Sequence, residues 1–178
     1  MSVTNITEKD QTTEIQALDG GPDAIQLLEN QHREVEALFK QLEETSDRAY
    51  RARTTIFEEI ANKLTNHAKI EEKIFYPEGK EVEEDMTLEA YEEHDVMKHM
   101  IAKIRRTEAN DETYMAKVTV LKEVVEHHVK EEENEYFPKI REEFEAEFLK
   151  ELGQEMQAAF EKLEAKTSKS GKGSRKSH

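Results

Sequence analysis

His67 and Glu71 stand four residues apart, and so do His128 and Glu132. On a helix such residues share one face a turn apart, so each pair can bring an imidazole and a carboxylate to a common point. The surroundings repeat as well: His67-Ala68-Lys69-Ile70-Glu71 leading to Phe75-Tyr76-Pro77 is echoed by His128-Val129-Lys130-Glu131-Glu132 leading to Tyr136-Phe137-Pro138. A further His precedes each copy at a nearly constant interval, His32 by 35 residues and His94 by 34. Four imidazoles and two carboxylates form a donor set suited to iron, manganese or zinc. The chain reads as a duplicated metal-binding unit.

Helices must position these groups. The apolar residues step by three and four, the pattern of helices packed at shallow angles in a bundle. The first segment runs from Pro22, read as the first helical residue, to about Thr45, with Ile25, Leu28, Val35, Phe39 and Leu42 in line with His32. The second, Arg48 to Phe75, aligns Ile56, Ile60 and Leu64 with His67 and Glu71. The third, Glu83 to Arg106, aligns Tyr91, Met97, Ile101 and Ile104 with His94. The fourth, Glu112 to Phe137, aligns Val118, Leu121 and Val125 with His128 and Glu132. A fifth, Ile140 to Leu163, carries Phe144, Phe148, Leu152, Met156 and Phe160 and is expected on the outside of the bundle, with Gly153 as a weak point. The fold class expected is all-α, an up-and-down four-helix bundle with an additional C-terminal helix.

A buried unpaired carboxylate costs several kcal/mol. Two such Glu and four His on inward stripes, with no Lys or Arg among them, call for a cation. Residues 34 or 35 apart sit level when the turn lies midway between them, as the turns near residues 46–49 and at Asp111 do. Bundle cores are where such sites are built, and six donors exceed the four of a tetrahedral zinc site, which points to two ions bridged by carboxylates. The expected bridges are Glu71 and Glu132. The aromatic pairs Phe75-Tyr76 and Tyr136-Phe137 are expected to close one end of the bundle.

A His, then His-x-x-x-Glu, then the same again, each copy leaving through two aromatics and a Pro, resembles the hemerythrin-like HHE cation-binding family over about residues 24–165. The resemblance implies metal ligands at His32, His67, Glu71, His94, His128 and Glu132. It also implies two iron ions in an oxo- or hydroxo-bridged non-haem di-iron centre, with manganese or zinc as alternatives. The expected function is binding or reduction of dioxygen, nitric oxide or peroxide; the rival is an iron-binding, storage or sensing module without turnover. One departure bears on this. Oxygen-carrying members add a fifth His one turn after the third-helix His, and that position is Lys98 here. His99 lies about 100° off the stripe; His127 is likewise off it, and His178 ends the chain. Glu36 and Glu72 are the nearest carboxylates that could fill the gap, and both read as solvated helix faces.

A length of 178 residues fits one domain with a real core. Charged residues (38%) outnumber hydrophobic ones (35%), but they follow helical spacing, so they read as solvated faces rather than disorder. A formal charge of −15 argues against a nucleic-acid or anionic-membrane partner for the body, since both are polyanions. Cysteine is absent, so nitrogen and oxygen must do the metal chemistry. No apolar run approaches the roughly 18 residues that span a bilayer, and the polar stretch Met1 to Leu18 is unlike a secretory signal. The expected organisation is a flexible arm (1–21), the bundle (22–165) and a disordered basic tail (166–178), in a cytoplasmic protein that is a monomer or weak homodimer.

Overall fold

The computed structural model describes residues 21–173, so residues 1–20 of the expected arm (1–21) and the last five residues of the expected tail lie outside the described residues. Among the described residues the chain is all helical. Helix α1 (Ala24–Glu43) pairs with α2 (Tyr50–Ile70), and α4 (Glu84–Arg105) pairs with α5 (Tyr114–Glu131), while α2 also meets α4. The short helices α3 (Tyr76–Gly79) and α6 (Phe137–Glu143) continue α2 and α5 beyond one wide turn each, and α7 (Ala146–Gly173) packs along α1 and α2.

Helix α1 starts two residues later than Pro22 suggests. Asp23 is the N-cap: its Oδ1 accepts from the Gln26 amide at 2.8 Å, and the Gln26 side chain accepts from the Asp23 amide at 3.1 Å. That reciprocal box satisfies two amides at the helix start that would otherwise lack partners, which Pro22 at the first helical position would not do.

The wide turns, Glu71–Phe75 and Glu132–Tyr136, are π-helical, with the Tyr76 amide bonded to the Glu71 carbonyl and the Phe137 amide to that of Glu132. Such turns are rare and concentrate at functional sites. Pro77 and Pro138 lie one residue beyond each turn, and a Pro has no N–H to return to the preceding turn. The hydroxyl of Tyr91 supplies one substitute donor, bonding the Glu72 carbonyl at 3.1 Å. Each Pro then sits in the first turn of renewed helix, where it is tolerated. For this reason the fourth segment does not stop at Phe137 but continues to Glu143. The chain breaks at Phe144, whose backbone is extended, and the C-terminal helix starts at Ala146 rather than Ile140. Helix α7 runs on to Gly173, ten residues past the expected helix end at Leu163.

Two apolar clusters fill the bundle. One holds Ile25, Leu28, Phe75, Tyr76, Tyr136 and Phe137 and is covered by Leu149, Leu152, Met156 and Phe160 of α7. The other holds Val35, Phe39, Ile60, Met97, Ile101 and Leu121. His32, His67, Glu71, His94, His128 and Glu132 are all buried, on the stretches of helix between the two.

Gly153 is the tightest point of the α7 contact. A Cβ there would lie 2.6 Å from the Pro22 carbonyl oxygen and 2.7 Å from the Ala24 nitrogen. Expected as a weak point, it is instead the residue that lets α7 touch the capped start of α1. Gly153→Ala should therefore destabilise the protein by about 1–3 kcal/mol through overpacking, despite the roughly 1 kcal/mol that Ala gains over Gly in a helix. Thermal unfolding measures it: a raised Tm would show that α7 can shift without cost.

Candidate metal centre

The six sequence-predicted residues come together. His32 and His67 face each other with their Nε2 atoms 3.2 Å apart, and His94 and His128 do the same at 3.2 Å. Glu71 Oε2 lies 3.1 Å from His67 Nε2 and 3.3 Å from His94 Nε2, one imidazole from each pair. Glu132 Oε2 lies 3.3 Å from His32 Nε2 and 3.4 Å from His128 Nε2, again one from each. Two donor groups result, His32-His67-Glu71-Glu132 and Glu71-His94-His128, each with ligand atoms within 4.8 Å of one another.

The outward nitrogens fix which atoms point inward. Nδ1 of His32 bonds Glu133 at 2.8 Å, that of His67 bonds Gln31 Oε1 at 2.8 Å, that of His94 bonds Glu72 at 3.0 Å and that of His128 bonds Glu93 at 2.7 Å. All four acceptors are oxygens without a proton to give, so Nδ1 donates and each neutral imidazole turns the Nε2 lone pair to the centre. This is the arrangement that orients metal-binding His. Both oxygens of Glu71 and Oε2 of Glu132 are buried without a hydrogen-bond partner. Lone pairs facing bare carboxylate oxygens in a buried core need positive charge between them. The donor set fits two cations.

Protons are the alternative source of that charge. Burial opposes an imidazolium, yet hydrogen bonds to Glu132 and Glu133 hold His32 up to about 9, and Glu71 and Glu72 do the same for His94. Burial dominates at His67 and pushes it down. Glu71 stays well below the usual carboxylate range: burial works against its charge, but His67 and His94 outweigh it. Cations entering here would displace protons from His32 and His94, so binding is coupled to proton release.

The aromatic pairs pack directly on the centre. Tyr76 lies near-parallel to His94 at 5.4 Å, and Phe137 lies near-parallel to His32 at 6.0 Å. The Tyr76 hydroxyl donates to Glu132 Oε1 at 2.9 Å, and burial keeps its phenol well above the ordinary value. That bond explains why Glu132 has one unpartnered oxygen and Glu71 has two. Tyr136 points elsewhere, its hydroxyl 2.6 Å from Thr87 Oγ1.

On the opposite side of the imidazoles lies a cavity of about 20 Å³, walled by Val35, Leu64, Met97, Ile101, Val125 and the stem-bearing Lys98. The Lys98 ammonium is bonded to Glu72 Oε1 at 2.7 Å and Asp95 at 3.0 Å. Glu36 is exposed and paired with Arg33, and His99 and His127 are exposed; His178 lies outside the described residues. Glu72 corrects the sequence reading. It is half-buried against His94, not a solvated face.

Gln31, Glu93, Glu133 and Tyr76 were not singled out from sequence as partners of the site. One signal was available for three of them: Gln31 and Glu93 each precede a first-helix His, and Glu133 follows Glu132 as Glu72 follows Glu71.

Known proteins resemble this chain. A protein from Mycobacterium kansasii, whose crystal structure is described as that of a hemerythrin HHE cation binding domain-containing protein, has the same fold, with a TM-score of 0.73 and 23% identity over 82% of this chain and 90% of that one. A Nostoc protein described as a DNA nickase is 29% identical over 134 residues, which is 75% of this chain; the chain spans 38% of that relative's length. Residues 23–140 match the hemerythrin HHE cation binding domain, and the chain belongs to that family of cation-binding proteins.

Proposed function

We propose that this protein is a non-haem di-iron protein that binds or reduces dioxygen, nitric oxide or peroxide. In this reading His32, His67, His94 and His128 are terminal ligands, and Glu71 and Glu132 bridge the two ions. The observation that carries it is the placement of each Glu between one imidazole of each pair, with carboxylate oxygens left bare. Two redox-active ions would supply an electron each to a ligand bound beside them. Manganese or zinc would fit the same donors.

The residues of this chain set the rest of the chemistry. The cavity beside the imidazoles is about 20 Å³, near the size that holds a single water, which suits diatomic or peroxidic ligands. Tyr76 occupies Glu132 Oε1 and leaves Oε2 for a cation. Glu72, Glu93, Glu133 and Gln31 hold the four rings in register. Nicking of DNA is not carried over from the Nostoc relative, because a chain of net charge −15 repels a polyanion.

Glu71→Ala and Glu132→Ala should each lower bound metal from about two ions per chain to one or none, because a bridge serves both ions. Elemental analysis reads this directly, and unchanged stoichiometry in both variants would remove them as bridges. Loading wild type to a hundredfold excess over Kd should stabilise it by about 2.7 kcal/mol per site.

Glu72→Ala should weaken metal affinity about 10–100-fold by freeing the His94 ring, whereas Glu36→Ala should leave it unchanged. Competition with a chelator measures both. Equal affinities for the two variants would show that the Glu72 bond does not orient the ligand.

With Lys98 in the fifth-imidazole position, the reduced protein should be oxidised promptly by air or peroxide. Stopped-flow mixing with air-saturated buffer tests this. A long-lived visible band that disappears when oxygen is removed would instead make the protein an oxygen carrier.

A further inference from the structure

We propose that Glu93, His127 and Glu131 form a second cation site at the surface, one that captures a divalent first-row ion and passes it to the inner centre. The proposal rests on the metal reading of that centre.

His127 Nε2 lies 3.4 Å from Glu93 Oε1 and 3.3 Å from Glu131 Oε1, and ligand atoms of the three residues fall within 4.8 Å of one another. One imidazole and two carboxylates suit a divalent ion with water completing its shell. No Lys or Arg is paired with either carboxylate among the described residues. The triad repeats the inner pattern one residue earlier: Glu93, His127 and Glu131 each precede His94, His128 and Glu132. His127 and Glu131 thus form another His-x-x-x-Glu pair, rotated about 100° around the helix and so facing outward. The matching positions of the first repeat are Gln31, Asn66 and Ile70, which cannot form such a site.

The outer triad is connected to the inner donors. Glu93 offers Oε1 towards His127 while its Oε2 holds His128 Nδ1 at 2.7 Å. A cavity of about 10 Å³ is lined by Glu93 and Glu131 of the outer triad and by His128 and Glu132 of the inner set, together with Met86, Ala90 and Tyr136. Glu132 is 2% exposed, and its Oε2 has no hydrogen-bond partner. An ion held outside is therefore separated by a small cavity from a buried carboxylate oxygen that has no hydrogen-bond partner. The exposed site binds weakly and exchanges quickly; the buried one retains.

Co²⁺ is a suitable probe, because its visible absorbance follows filling of the inner centre and its paramagnetism marks nearby protons. His127→Ala and Glu131→Gln alter outward-facing side chains, and both variants should reach the wild-type final Co²⁺ content. Their filling should be slower by about tenfold, the lower end of what focused charge contributes to on-rates. In wild type the His127 ring signals should broaden in the NMR spectrum at the first additions of Co²⁺. Equal filling rates in both variants overturn the hand-over, even if His127 broadens. A sharp His127 signal throughout overturns the site itself. If no inner absorbance develops in any protein while His127 broadens, the surface site stands and the inner metal reading falls.

Discussion

The charge of two buried carboxylates governs this structure. Glu71 and Glu132 sit in the core with three of their four oxygens unpartnered. Leaving such a charge uncompensated costs several kcal/mol, on the scale of a whole domain's stability of about 5–15 kcal/mol. Apolar clusters on both sides of the six residues exclude water, which raises the cost of bare charge and equally strengthens any compensating attraction. The four imidazoles answer this charge only in part, through protons on His32 and His94. The helices, the π-helical turns and the outer ring of acceptors make sense as the frame that keeps these groups at that position.

The frame is interlocked. Each repeat supplies a Glu-Glu pair at its wide turn, and each pair reaches into the other repeat. Glu71 and Glu72 contact His94, whereas Glu132 and Glu133 contact His32. Within each repeat, Gln31 holds His67 and Glu93 holds His128. Neither half closes a donor set alone, so the site also ties the two helical hairpins together. The symmetry is broken by one exchange in the sequence. Phe75-Tyr76 in the first copy is Tyr136-Phe137 in the second, so the ring packed on His94 carries a hydroxyl and the ring packed on His32 does not. Glu132 thereby gains a donor that Glu71 lacks.

The helical fold was legible because each stripe keeps a 3.6-residue period over several turns, and the spacing of 34 or 35 placed the His residues at one level. Periodicity could not show the π-helical turns, since each comes near the end of its stripe, with only a short helix beyond it to reveal a shift. Pro77 and Pro138 were the available sign, being residues without N–H inside an otherwise continuous helix. The break at Phe144 carries neither Gly nor Pro and left no mark at all. Gly153 misled because local propensity weighs only its own helix, whereas its lack of a side chain serves the backbone of residues 22–24. Glu72 misled for a related reason: a carboxylate one position off the inward stripe of its own helix can still face the His of a neighbouring one.

The two sides of the centre differ in how they are filled. Aromatic rings from both repeats pack tightly around one side, with Phe75 meeting Tyr136 and Phe137 edge-on at 6.0 and 5.7 Å. Aliphatic side chains line the other, and the small cavity lies there. On that side Lys98 borders the approach to the imidazoles. Burial opposes the Lys98 charge, but Glu72 and Asp95 together raise its pKa above the ordinary value, so it stays an ammonium with no lone pair to give. A His there could coordinate; this Lys cannot. Its charge is paired with Glu72, the acceptor of the His94 proton, so the residue bordering the cavity acts on the centre through a hydrogen bond.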